Sequence, residues 1–215
     1  YQGLVAKNSI FRGWTSYAAT IGEVKFENCT FGAGSGYNFS RPYAGTEYKN
    51  CTFEDGHEME PRADVTFVNC NLNGVELTPT NVASMVKWNT DKAKIMNTEG
   101  KESVLVSNNE QFAAAAANVN VETIYLSSGK HTLELYTNAK PRESLTIIGT
   151  EGTQVEFGNQ QVRMPLFRNF TIENCEILRM ATKSWGMLVF STGDKANGVY
   201  TVKNCTFNGV GTQGI

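Results

Sequence analysis

The chain is 215 residues long, carries 19% charged residues and has a formal net charge of −2. That length can bury a sizeable core, and the charge balance excludes both a disordered polyelectrolyte and a nucleic-acid binder that depends on a basic face. No apolar run reaches the roughly 18 residues of a membrane span, while Gly, Asn and Thr (20, 21 and 22 residues) supply a composition suited to frequent, regular turns.

The chain opens on Tyr1 rather than Met, as expected of a processed product or a fragment. Leu4-Val5-Ala6-Lys7-Asn8-Ser9-Ile10-Phe11 alternates apolar and polar residues up to an asparagine and resumes after it. The phrase returns as Val24-Lys25-Phe26-Glu27-Asn28-Cys29-Thr30-Phe31, as Thr46-Glu47-Tyr48-Lys49-Asn50-Cys51-Thr52-Phe53 and as Val65-Thr66-Phe67-Val68-Asn69-Cys70-Asn71-Leu72. Alternation of this kind is strand periodicity, and asparagine permits a sharp bend because it tolerates left-handed φ/ψ. The three later asparagines follow their predecessors by 20, 22 and 19 residues. A strand–bend–strand unit of about twenty residues predicts one coil of a parallel β-solenoid, with equivalent residues stacked about 4.8 Å apart. The asparagines are expected to form a ladder of amide hydrogen bonds.

Between the phrases lie turn segments rich in aromatic residues: Trp14, Tyr17, Tyr37, Phe39 and Tyr43, the last beside Arg41. Stacked on one face, such rings suit contact with the apolar faces of sugars, so Trp14, Tyr37, Arg41 and Tyr43 are the candidate ligand-binding residues. The acidic turn Glu54-Asp55-Gly56-His57-Glu58-Met59-Glu60 matches no metal-loop spacing and is expected to be a solvated loop; no metal or cofactor is expected.

Residues Leu77 to Gly100 lack the phrase. A short helix is expected near 80–88, capped by Thr80 or Asn81, followed by a polar linker over 90–101. A second short helix is expected near 108–117, where five alanines follow Asn108 and Asn109. Strands follow at 121–126, 133–135, 145–149 and 155–157. His131, in the turn after Gly129, is expected to face solvent. The phrase then resumes as Phe170-Thr171-Ile172-Glu173-Asn174-Cys175-Glu176-Ile177 and Tyr200-Thr201-Val202-Lys203-Asn204-Cys205-Thr206-Phe207, with Trp185 in the turn between them. Residues 1–89 therefore read as coils ending in a cap, and 102–215 as a cap helix followed by coils. An open solenoid end exposes apolar side chains and unpaired strand edges and needs cover. With the start-like segment in mid-chain, two arrangements stay open: two short solenoid segments, or one period of a tandem or permuted array. For the array, Asn8 of a following copy would fall 19 residues after Asn204, matching the coil period.

All five cysteines (Cys29, Cys51, Cys70, Cys175 and Cys205) follow an asparagine, which composition alone does not explain. Their odd number and the absence of a CxxC pair exclude a full disulfide framework and zinc spacing, so they are expected to be free thiols buried in one repeated environment.

These phrases resemble the coils of right-handed parallel β-helix proteins, the pectate-lyase-like superfamily. The resemblance implies an all-β, single-stranded, right-handed parallel β-helix with short capping helices, and a ladder at Asn8, Asn28, Asn50, Asn69, Asn174 and Asn204 that lies in the interior. Interior amides would not carry glycans, so the Asn-Cys-Thr triplets are not expected to be glycosylated. The superfamily includes lyases, hydrolases, phage tailspikes and non-catalytic adhesins, so the fold does not choose the function. Asn89-Thr90-Asp91 echoes a polygalacturonase triplet, but the rest of that motif is missing. No catalytic residue is assigned. The expected function is a non-enzymatic, secreted or cell-surface β-helix module of bacterial type, structural or adhesive, with a polysaccharide or cell-surface glycan as partner and end-to-end self-association or tandem neighbours. A polysaccharide lyase or glycoside hydrolase and a phage tail-fibre or tailspike segment are the alternatives.

Overall fold

A computed structural model describes residues 3–13, 23–36, 38–157, 162–163, 167–178, 188–189 and 198–208. The chain divides into two compact units, Tyr1–Ser103 and Val104–Ile215. Each is a parallel β-solenoid.

In the first unit, strands Leu4–Lys7, Val24–Glu27, Glu47–Lys49, Val65–Val68 and Ala93–Met96 lie side by side, in parallel and in that order. The register places Phe26 beside Tyr48 and Tyr48 beside Phe67. After the bend, Ile10–Arg12, Thr30–Gly32, Thr52–Phe53 and Asn71–Leu72 form a second parallel sheet. Residues 90–101, expected as a linker, contain instead a 3-10 turn and strand Ala93–Met96, which pairs with Val65–Val68. Ala93 and Ile95 continue the inward rows below Val65 and Phe67, and this is the physical reason the segment joins the sheet. A turn closed by Asn97, whose side chain accepts the Glu99 and Lys101 amides, then reverses the chain. The expected helix near 80–88 is a 3-10 turn, Val82–Ser84, after which Met85 and Val86 are buried against the last coil.

The interior consists of rows of like side chains. Phe11, Phe31 and Phe53 stack with centroids 4.9 and 5.4 Å apart. Phe26, Tyr48 and Phe67 stack at 5.1 and 5.2 Å. Fully burying each ring contributes about 1.5–3 kcal/mol, and offset or edge contacts between rings add about 0.5–1.5 kcal/mol per pair. The thiols form a third row. Cys29, Cys51 and Cys70 are free and buried, each with Sγ 3.3–3.5 Å from a carbonyl of the preceding coil. A hydrogen bond with Cys51, and then burial, push the Cys70 thiol far above its ordinary range, so it stays protonated.

The second unit opens with a helix, Asn109–Ala117, capped by Asn108, whose side chain accepts the Gln111 amide at 2.9 Å. Phe112 and Ala116 cover the first coil of this unit. Arg142 closes the other end of the helix by donating to the carbonyls of Ala116, Asn118 and Val121. Strands Val121–Leu126, Arg142–Gly149, Phe167–Glu173 and Val199–Lys203 form one parallel sheet, and Gly129–Leu133, Thr153–Phe157, Glu176–Leu178 and Thr206–Asn208 form the other. His131 is buried rather than solvent-facing: its strand pairs in register with Val155, which turns the ring inward, where Nε2 lies 2.8 Å from the Ser127 carbonyl.

The ladder exists, but on the outside. Asn8, Asn28, Asn50, Asn69, Asn174 and Asn204 are all exposed and all have φ of 50 to 60°. Side-chain amides link 28 to 8, 50 to 28 and 69 to 50 at 3.3, 3.3 and 2.8 Å, and 204 to 174 at 3.3 Å. The interior ladder implied by the resemblance is therefore corrected. The left-handed bend directs these side chains away from the core, and Cys takes the next, inward position. The ladder spans 30 residues between Asn174 and Asn204, well beyond the expected twenty, because a coil tolerates long turns while its strands stay in register. The coil that contains Gly149 has no ladder asparagine: a Cβ there would press on the Asn174 carbonyl and Cys175 Sγ.

Asn50 supports the fold through both its backbone conformation and its amide. Replacement by alanine loses two ladder bonds and adds left-handed strain, for a cost of about 2–4 kcal/mol. Asn50→Gly keeps the conformation and is expected to cost about 1 kcal/mol less. Urea denaturation of the two variants checks the order.

Candidate functional site

The third side of the first unit carries the residues with the clearest capacity to meet a ligand. Asn38, at φ 49°, turns the chain and accepts the Gly34 amide. Strand Phe39–Ser40 then pairs in parallel with Glu58–Met59, and Met59 bridges to Val86. Alternation decides what faces where. Ser40, Met59 and Val86 are buried, while Arg41, Glu58, Glu60 and Lys87 keep their charged ends at the surface.

On that surface the Phe39 and Trp88 rings meet edge to face, 5.8 Å apart at 82°. Trp88 is 54% exposed. The Arg41 guanidinium lies 5.2 Å over the Phe39 ring and donates through Nε to Glu60 at 2.9 Å. Glu60 also pairs with Arg62 at 3.0 Å. Asn89, itself left-handed at φ 55°, donates to the Pro61 carbonyl and anchors the segment that presents Trp88. The result is an aromatic platform rimmed by two arginines, a lysine and two glutamates. Stacked rings of this kind supply flat apolar area at low entropic cost, and the charged rim supplies fixed hydrogen-bond donors and acceptors.

Of the residues expected to bind ligand, Arg41 is part of this platform. Tyr43 is exposed just beyond Pro42, whose carbonyl accepts the Arg62 amide. Trp14 and Tyr37, like Tyr17 and Trp185, lie outside the described residues. Sequence reasoning missed Trp88, Glu60 and Arg62. Trp88 falls within the stretch expected as a short helix near 80–88, and its exposure breaks the alternation that buried Val86 and exposed Lys87 begin, so no local pattern marks it.

The acidic turn is not simply a solvated loop, because His57 within it is buried. Its ring packs on Phe31 and Phe53, and Nε2 lies 3.2 Å from Ser40 Oγ. His57 Nδ1 has no hydrogen-bond partner. This Ser–His contact lies beneath the platform strand with both residues 2% exposed, so no substrate can reach the hydroxyl. Among the described residues, no three His, Cys, Asp or Glu side chains converge as metal ligands.

The second unit offers an open groove of about 480 Å³ lined by Thr150, Gln154, Glu176, Asn204 and Thr206. Amides of Asn208 and Gln154, each at 2.7 Å, hold the Glu176 carboxyl below its usual range. This wall is polar and carries no exposed aromatic ring among those residues.

No family model matches the chain, and neither a curated protein nor a solved structure is significantly similar to it.

Burial lowers the His57 pKa from its ordinary 6.5 to about 4. Between those values the unfolded chain binds a proton that the folded chain refuses, so stability falls as pH drops through that window. The expected loss is about 3 kcal/mol between pH 6.5 and 4. Thermal unfolding across that range is expected to show the loss, and His57→Leu to remove most of it.

Proposed function

We propose that the chain is a secreted or cell-surface β-solenoid module that binds carbohydrate and performs no catalysis. The glycan is held on the third side of the first unit, and a further copy of the chain docks at the coil ends. The observation that carries the glycan reading is the exposed Trp88 ring set edge-on to Phe39, beside a guanidinium already held flat by Glu60. A ring exposed to this degree buries apolar area only when a ligand covers it, and a sugar ring offers a C–H face to the indole while its hydroxyls reach the charged rim. The Phe39–Trp88 ring contact, the Arg41–Glu60 pair and the Asn89 bond to the Pro61 carbonyl hold the platform in place, which lowers the cost of ordering it on binding. The adhesive or structural role accords with a rigid stack of coils that presents one repeated surface.

The test is a panel of acidic and neutral polysaccharides in affinity electrophoresis, read in parallel for new reducing or unsaturated ends. Binding to at least one polymer without cleavage is expected. Trp88→Ala is expected to weaken it about tenfold or more, equivalent to about 1.4 kcal/mol, with the fold intact by circular dichroism. Equal binding by wild type and Trp88→Ala overturns the site assignment. Cleavage products shift the reading to a lyase or hydrolase.

A further inference from the structure

Glu60 holds a place in the platform that the ring contacts alone do not explain. Ser40, Met59 and Val86 pair across three successive coils, with the Glu60 N–H bonded to the Ser40 carbonyl and the Lys87 N–H to the Met59 carbonyl. One residue further on, Arg41, Glu60 and Lys87 therefore occupy one outward row, about 4.8 Å from coil to coil. Glu60 is its middle member, in the coil between the one that carries Phe39 and the one that carries Trp88. Contacts run unbroken from Trp88 to Phe39, from Phe39 to Arg41 and from Arg41 to Glu60.

The two oxygens of Glu60 differ. Oε2 lies 2.9 Å from Arg41 Nε and 3.0 Å from Arg62 Nη2, so two guanidiniums share one atom. Oε1 has no partner among the described residues, because Lys87, the next cation in the row, turns to the Ser84 carbonyl at 2.8 Å and to Glu58 at 4.0 Å. The Glu60 side chain is only 16% exposed, yet Oε1 is not among the buried atoms that lack a partner, so it reaches the surface. The carboxylate is thus fixed through one oxygen and open at the other. Arg62 is exposed and, among the described residues, makes no hydrogen bond through Nε or Nη1, so unused donors accompany the unused acceptor.

We infer that Glu60 is the specificity-determining residue of the platform, and that it selects a neutral glycan with hydroxyls on adjacent ring carbons over a glycan of uronate units. This rests on the glycan reading and names the class of sugar within it. A carboxylate oxygen only accepts, so the group that meets Oε1 must donate. A sugar hydroxyl both donates and accepts; one of an adjacent pair gives its hydrogen to Glu60 Oε1 while its neighbour accepts from Arg62. A uronate carboxylate at that point has no hydrogen to give and sets a second negative charge against the first, which selects against it. The guanidiniums offset this only in part, because both already share their charge with Oε2. Since they also hold the glutamate in place, little ordering cost falls on the bond to the ligand.

The test is affinity electrophoresis of the full chain with neutral polymers (galactomannan, xyloglucan and a mixed-linkage β-glucan) and with polyuronates (alginate and polygalacturonate). Wild type is expected to bind at least one neutral polymer about tenfold more tightly than either polyuronate. Glu60→Gln keeps the shape and reverses the polarity. Arg41 and Arg62 still require an acceptor at the Oε2 position, so the new amide oxygen sits there and its NH2 takes the place of Oε1. The variant is expected to weaken the neutral polymer about tenfold and to strengthen the polyuronates about threefold, with circular dichroism and melting temperature near wild type. Loss of packing alone does not move the two classes in opposite directions. Arg62→Gln changes an exposed side chain and leaves the Arg41–Glu60 bond in place; it is expected to weaken the neutral polymer severalfold, and it carries the test should Glu60→Gln misfold. A wild type that prefers a polyuronate overturns the inference, as does a folded Glu60→Gln or Arg62→Gln that binds both classes as wild type does. If Trp88→Ala abolishes binding while Glu60→Gln leaves it unaltered, this assignment fails and the glycan reading stands. If wild type binds no polymer, both fail.

Discussion

A left-handed asparagine at the end of a strand in six of the coils is the constraint on which the solenoid depends; the coils of Val121–Leu126 and Arg142–Gly149 turn at Gly129 and Gly152 instead, also at positive φ. A chain that must turn a corner at the same point in successive coils needs a residue that accepts positive φ, and for most L-residues that conformation costs about 1–2 kcal/mol. Asparagine accepts it and also offers an amide that bonds along the stack. Nine asparagines take positive φ among the described residues, six of them at the ladder positions. Once the corner is set, alternation does the rest: the residue after the bend is cysteine in five coils and the apolar residues on either side point inward.

Stacking like on like has energetic consequences. Rows of Phe and Tyr bury large areas with ring separations near 5 Å, and the small thiol fits beside the bend where a larger side chain would meet the neighbouring carbonyls. The thiols act here as compact apolar groups. The same regularity is costly at the ends, where a coil with one neighbour leaves its inward row half covered. In the first unit, 3-10 residues Val82–Ser84 and the buried pair Met85–Val86 cover one end. In the second, the Asn109–Ala117 helix does so. The first coil of one unit and the last of the other carry edge strands with exposed apolar side chains.

The third side of the first unit differs from the two long sheets. Its strands are only two residues each, and it is held by prolines, an αL asparagine and a buried Ser–His contact as much as by ladder bonds. Short strands free the outward positions from cross-strand pairing along a whole sheet, so Phe39, Arg41 and Trp88 can adopt a mutual arrangement set by ring and guanidinium geometry. The buried His57 is the cost of that arrangement, a titratable group sealed behind the platform.

The coil repeat, the position of the bends, the inward rows and the helix at 109–117 were legible in the linear chain. They follow from local rules: a period of two, a residue tolerant of positive φ, and alanine runs after a capping asparagine. The strand at Ala93–Met96 was not, because its only inward residues are Ala93 and Ile95, and its place is decided by Val65 and Phe67 in another coil. Nor could the sequence decide which way the ladder faces or that His57 and His131 are buried, since exposure is a property of what the neighbouring coils cover. The platform is the sharpest case. Phe39, Arg41, Glu60 and Trp88 are separated by up to 49 positions, and only the stacking of three successive turns brings them together.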